Sequence, residues 1–176
     1  GWSLSRKNLE DAFAKAAAQG THIKGICVIN PGNPTGAVLD RDNIAMVISF
    51  AREKGIAILA DEVYQTNIYG ANKSFVSFAR VLEDEKEKDV SLFSFNSCSK
   101  GFLGECGLRG GYMEIRNIPP EVVAEITKMQ SISLCSNLPG QVATYVLVSP
   151  PRPGNPSYQL YVQERDAILG ELKTRA

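Results

Sequence analysis

The chain has 176 residues, about the length of one domain, and is long enough to bury an ordinary hydrophobic core. Hydrophobic residues make up 44% and charged residues 22%, the balance of a globular protein rather than of a disordered or collagen-like one. The 19 basic residues are matched by 19 acidic ones, so there is no basic excess of the kind that draws nucleic acid or an anionic membrane, and small anions must be caught by local groups.

The chain opens abruptly on Gly1-Trp2-Ser3, as though cut from the middle of a longer protein, with no signal-peptide pattern. Ser5 is a helix cap, and Leu9, Ala12, Phe13 and Ala16 share one face of a helix predicted over 6–19, which Gly20 stops. Ile26 to Ile29 is a short, wholly apolar run, the pattern of a strand covered by helices on both faces. The chain then turns at Asn30-Pro31-Gly32-Asn33-Pro34. Asp40 caps a second helix with Ile44, Val47, Ile48 and Ala51 inward, closed by Gly55, and a second buried strand over 56–60 leads to Asp61. Such a strand–helix–strand succession is the unit of a parallel sheet, in which ligands collect at the carboxyl ends of the strands.

A loop over 64–73 leads to a helix predicted over 74–82, and the mixed charges from Glu83 to Asp89 read as a solvated helix end and turn. A third strand is predicted over 90–95 and a fourth over 111–115. Pro119 and Pro120 open a helix with Val122, Val123, Ile126 and Met129 on its inner side. Another helix is predicted over 138–148, a break follows at Pro150 to Gly154, and a long amphipathic helix covers 157–174. No run is apolar for long enough to span a bilayer.

Three stretches carry chemistry, all placed by this reading at strand ends. Ser97-Cys98-Ser99-Lys100-Gly101 sets two hydroxyls just before a lysine, and Gly107-Leu108-Arg109-Gly110-Gly111-Tyr112 follows with a guanidinium that can hold two oxygens of a phosphate. Upstream stand Asn33-Pro34-Thr35-Gly36 and Asp61-Glu62-Val63-Tyr64. A lysine amine is the covalent partner of a carbonyl cofactor, and a carboxylate at a strand end can hold a protonated ring nitrogen. Taken singly, each group has a plainer reading: a surface lysine, a turn with a surface arginine, a helix-capping acid. The four cysteines, Cys27, Cys98, Cys106 and Cys135, form no C-x-x-C pair, and His22 is the only histidine, so no metal site is expected. The thiols read as reduced and the compartment as intracellular. Cys98 and Cys106 read as buried or half-buried packing, and His22 as an exposed residue ahead of a strand.

The ordered set resembles the fold type I aminotransferases that use pyridoxal 5'-phosphate (PLP), and the wording from Lys100 to Tyr112 resembles their alanine aminotransferase branch. The resemblance runs from Trp2 to near Arg175. It implies a three-layer α/β/α, mainly parallel sheet, with 1–150 as an incomplete part of the PLP-binding large domain and 151–176 as the start of a linker helix toward a small domain. It implies Lys100 as the Schiff-base lysine, Asp61 at the pyridine nitrogen, Asn33 and Tyr64 at the 3-oxygen, and Ser97, Ser99 and Arg109 at the phosphate. A cis peptide before Pro34 is implied too, while Glu62 is left as structural. Arg109 stands one residue farther from the lysine than in many members, a spacing shared with the alanine branch.

The implied reaction moves an amino group between an L-amino acid, alanine foremost, and 2-oxoglutarate. The implied assembly is a homodimer in the cytoplasm or mitochondrion. Glutamate–glyoxylate transamination, or a PLP lyase such as aminocyclopropane carboxylate synthase, is the enzyme alternative; Glu105-Cys106-Gly107 and Cys135 favour the alanine type over the lyase. A non-catalytic assembly or regulatory module that kept the fold is the alternative of another class. The upstream phosphate loop and the downstream arginine for the substrate carboxylate find no match in this sequence, so the chain alone is expected to bind PLP weakly and to turn over little.

Overall fold

The computed structural model describes residues 4–176; Gly1, Trp2 and Ser3, where the resemblance begins, lie outside the described residues. Helix α1 (Arg6–Ala18) starts where the Ser5 hydroxyl accepts the Asn8 amide, and the chain leaves it through Gly20 at φ 75°. Strand β1 (Gly25–Ile29) is followed by helix α2 (Arg41–Lys54), which is capped by Asp40 and closed by Gly55 in the left-handed region. Strand β2 (Ala57–Asp61), helix α3 (Phe78–Asp84), strand β3 (Leu92–Ser97) and strand β4 (Gly111–Arg116) follow. Helices α4 (Pro120–Ser131), α5 (Leu138–Val148) and α6 (Tyr158–Arg175) complete the chain.

The four strands form one sheet in the order β1-β2-β3-β4; the first three run parallel and β4 runs antiparallel to β3. Register sets Ile29, Asp61 and Phe95 in one row, and Cys27, Leu59 and Phe93 in another. The alternate residues Val28, Ile58, Ala60 and Leu92 face α2 and α3, where they pack with Ile44, Val47, Ile48, Phe78, Val81 and Leu82 as the core. Burying apolar surface on this scale is the main force holding the sheet to its helices. Outside it, α1 lies against α2 through Phe13 edge-on to Phe50, with the rings 6.0 Å apart.

Several expectations are corrected. The two-sided cover expected of β1 is not there among the described residues: α2 and α3 cover one face, whereas Ile29 is 43% and Leu59 36% exposed on the other. Among the described residues the third layer of the expected α/β/α fold stands at the β4 end, where Val123 and Ile126 of α4 face Met113 and Ile115 across a cleft of about 740 Å³. Accordingly α4 buries no residue, and Val122 and Met129, expected inward, are 42% and 70% exposed. No residue of α6 is fully buried either, but the face expected of an amphipathic helix is visible: Tyr158, Tyr161, Val162, Arg165, Leu169 and Leu172 are half-buried, and Tyr161 packs edge-on to Phe102 with the rings 6.2 Å apart. The third helix begins at Phe78 rather than at residue 74, because Ser77 takes the capping position and its hydroxyl accepts the Arg80 amide. Strand β3 lies two residues later than expected, since pairing with β2 starts at Leu92 opposite Ile58 and pairing with β4 runs to Ser97 opposite Gly111. Cys106 is exposed rather than packed; Cys98 is buried.

Candidate active site

The parallel strands β1, β2 and β3 deliver their carboxyl ends to one edge of the sheet, and the sequence-predicted residues follow from those ends. Asp61 is the last residue of β2 and sits in register with Phe95, two residues before Ser97 ends β3. The pleat therefore sends Asp61 and Ser97 toward the same face, the one that α2 and α3 do not cover. The Val63 amide donates to Asp61 Oδ1 at 3.3 Å, which ties the carboxylate to the turn that follows it.

Asn33 lies in the turn after β1, next to a cis peptide at Pro34 as the resemblance implies, and a second cis peptide precedes Pro31. Its Nδ2 donates to the Tyr64 hydroxyl at 3.2 Å, joining the ends of β1 and β2. Because the tyrosine oxygen accepts this bond, its own proton stays available to an outside acceptor, as does the second Asn33 amide proton. Lys100 Nζ lies 5.7 Å from the centre of the Tyr64 ring. Asn33 and Tyr64 line a hollow of about 200 Å³ together with Pro31, Gly32 and Asn67.

The Lys100 turn is held against the Tyr64 loop by close backbone approach. Gly101 has φ 68°, and a Cβ there would stand 2.9 Å from Thr66 Oγ1, so glycine serves both the conformation and the contact. Asn67 Nδ2 donates to the Tyr69 hydroxyl at 2.9 Å and reaches the Gly101 carbonyl at 3.5 Å. Sequence reading passed over Asn67; its place three residues beyond Tyr64 in the same loop was the signal.

Ser99 is joined to Ser97 by its amide, which donates to Ser97 Oγ at 3.3 Å. The loop beyond Lys100 closes on itself where the Cys98 amide donates to the Gly110 carbonyl at 3.1 Å, bringing the backbone of Arg109 beside the two serines. Arg109 has φ 55°, and its Nη1 donates to the Cys106 carbonyl at 2.9 Å, so its guanidinium contacts its own loop rather than the other predicted groups. Across from it, Gly110 and Gly140 let α5 come so close that a Cβ on Gly110 would meet the Gly140 carbonyl oxygen.

Behind this edge lies Glu62, only 5% exposed. Its Oε1 accepts the Phe78 amide at 2.9 Å and its Oε2 accepts the Ser94 hydroxyl at 2.6 Å. Burial pushes its carboxyl above the usual carboxylate range, against the pull of these two bonds. The arrangement gathers an amine, an amide, a phenol, two hydroxyls and a carboxylate at one sheet edge, a set able to hold an anionic aromatic ligand and to move a proton.

The family described as "Aminotransferase class I and II" matches residues 1–174 of the chain. Alanine aminotransferase 2, mitochondrial, of Arabidopsis thaliana is 46% identical over 178 aligned residues, covering 100% of this chain and 33% of that protein. Glutamate–glyoxylate aminotransferase 2 of the same plant is 44% identical and is covered over 37% of its length. Among solved structures, an alanine aminotransferase from Pyrococcus furiosus superposes with a TM-score of 0.69 at 27% identity, over 94% of this chain and 38% of that one. The chain thus spans about a third of the length of the curated relatives it matches.

Proposed function

The chain belongs to the class I and II aminotransferases, and from that premise we propose that it supplies the cofactor-holding part of an enzyme that moves an amino group from an L-amino acid, alanine foremost, to 2-oxoglutarate. The cofactor of this reading is PLP. The observation that supports it most is the cluster at the sheet edge: the 3.2 Å bond from Asn33 to the Tyr64 hydroxyl, with Lys100 Nζ 5.7 Å from the same ring. The donor set fits PLP, because each polar corner of that molecule finds a group of the right kind. Tyr64 and Asn33 keep protons for its 3-oxygen, Asp61 offers a carboxylate to its ring nitrogen, and Ser97, Ser99 and Arg109 offer donors to its phosphate.

When bound, the group supplies an aldehyde for amine exchange and a ring that draws electrons away from the substrate's α-carbon. The chain's own residues do the rest. Lys100 Nζ takes the α-proton of the substrate and later gives a proton back, as general base and then acid. Asp61 holds a proton on the ring nitrogen by its charge, in the manner of preorganised electrostatic stabilisation. Tyr64 and Asn33 fix the plane of the ring, and the serines with Arg109 anchor its far end. Residues 1–150 are read as part of the cofactor-binding domain and 151–176 as the start of a linker helix. A homodimer within the cytoplasm or mitochondrion belongs to the same reading, in keeping with relatives whose names place them in mitochondria.

The test is substrate-dependent absorption in the full-length protein loaded with PLP. Alanine is expected to shift the visible band and 2-oxoglutarate to restore it. Glutamate with glyoxylate is the second pair to try, since one relative carries that name. A band moved by neither pair, but by a precursor of aminocyclopropane carboxylate, would overturn the proposed reaction in favour of a lyase.

A further inference from the structure

Among the described residues, Glu62 is the buried acid at the sheet edge that the proposed chemistry does not use. It follows Asp61 directly, and the pleat turns it to the opposite face, into the core under α3. A carboxylate placed there with no cation beside it is costly unless its oxygens are well satisfied. Both are: Oε1 takes the first amide of α3, at Phe78, and Oε2 takes the hydroxyl of Ser94 on β3. Its backbone is fixed as firmly, since the Glu62 amide donates to the Phe95 carbonyl at 3.0 Å and the Gln65 amide donates to the Glu62 carbonyl at 3.2 Å. One residue before it stands Asp61, whose Oδ1 accepts the amide of Val63, one residue after it. Two residues after it stands Tyr64, bonded to Asn33.

We propose that Glu62 is a positioning residue of the cofactor site, its carboxylate pinning to α3 and β3 the strand end and turn from which Asp61 and Tyr64 project. This rests on the PLP reading above. The residue touches no ligand; it acts through the backbone, one peptide unit back to Asp61 and two forward, across Val63, to Tyr64. Packing alone would be met by leucine at this position, which matches the volume and removes two buried polar contacts.

The test uses the full-length protein loaded with PLP and follows the visible band against pH. With Asp61 held in place, the positive charge on the ring nitrogen disfavours a second one on the cofactor's bound nitrogen and keeps the band's titration midpoint low. Glu62→Leu is expected to raise that midpoint and to weaken PLP retention roughly tenfold, the scale at which outer partners of a site act. Glu62→Gln, which can still accept the Phe78 amide and bond the Ser94 hydroxyl, is expected to restore both. Ser94→Ala removes one anchor and is expected to raise the midpoint less, and it decides the matter if the leucine variant does not fold. Borohydride trapping on Lys100 in the parent separates the two levels of the claim. Trapping with an unmoved midpoint in the folded variants overturns the role of Glu62 alone, and no trapping in the parent overturns the PLP reading and this inference together.

Discussion

At Tyr64 one hydroxyl accepts the Asn33 amide at 3.2 Å. The proposed function gives it a second task, donating its proton to the cofactor. Tyr64→Phe removes both bonds but leaves the ring beneath Lys100. At about 1 kcal/mol for a net hydrogen bond, PLP should be held roughly fivefold less tightly in the full-length protein, as read by equilibrium dialysis. An unchanged affinity would take Tyr64 out of the site. Glu62 carries a prediction of the opposite kind, about stability. Burial raises its carboxyl in the folded chain, so the folded state holds that proton more tightly than the unfolded state does. Its favourable contribution is present below the ordinary glutamate range and is lost as pH climbs through the raised value. Urea midpoints of the parent should therefore fall over that rise, and Glu62→Gln should flatten the fall; an equal slope in both would contradict it. The candidate residues were legible because a lysine after two serines, an acid at the end of an apolar run, and Asn-Pro after a strand each sit at a sheet edge. Side-chain direction was not legible: no spacing foretold that Arg109 would reach the Cys106 carbonyl, or that Asn67 would approach Gly101.

At the scale of elements, caps and register decided the outcome. The Asp40 and Gly55 boundaries of α2 match their sequence signals because both are local chemistry, one side chain on an amide and one left-handed glycine. Helix α3 departs from expectation because its start depends on a distant partner, with Glu62 taking the Phe78 amide while Ser77 serves Arg80. Ser77→Ala should cost about 1 kcal/mol in urea unfolding, the usual loss for an N-cap, and no loss would mean that Glu62 holds the helix start alone. The face of α1 toward α2 is framed by charge: Arg6 pairs with Glu10 and Glu53, and Lys54 pairs with Glu10 at 2.6 Å. These bonds lower the carboxyls of Glu10 and Glu53, so their support is present above the usual carboxylate range and fades as pH falls. Exposed pairs of this kind are modest and screened by salt, so the Phe13–Phe50 contact carries more of the joint.

For the molecule as a whole, the strand pattern correctly foretold a mainly parallel α/β sheet, but the wholly apolar runs at Ile26 to Ile29 and Ile56 to Ala60 describe a strand covered on both faces, and here one face is open. Ile29, Leu59 and, beyond β4, Met129 on α4 with Ile132 and Leu134 in the connection that follows it stand exposed. Apolar surface of this extent drives association. The 176-residue chain by itself is expected to bind an apolar dye and to self-associate as its concentration rises in sedimentation velocity; a dye-silent monomer at all concentrations would contradict the open face. The central claim is that three strand ends serve one ligand through one amine. The most direct test is to reduce the PLP-loaded full-length protein with borohydride and map the labelled peptide. The account predicts a single label on Lys100, and a label on any other lysine, or none, would contradict it.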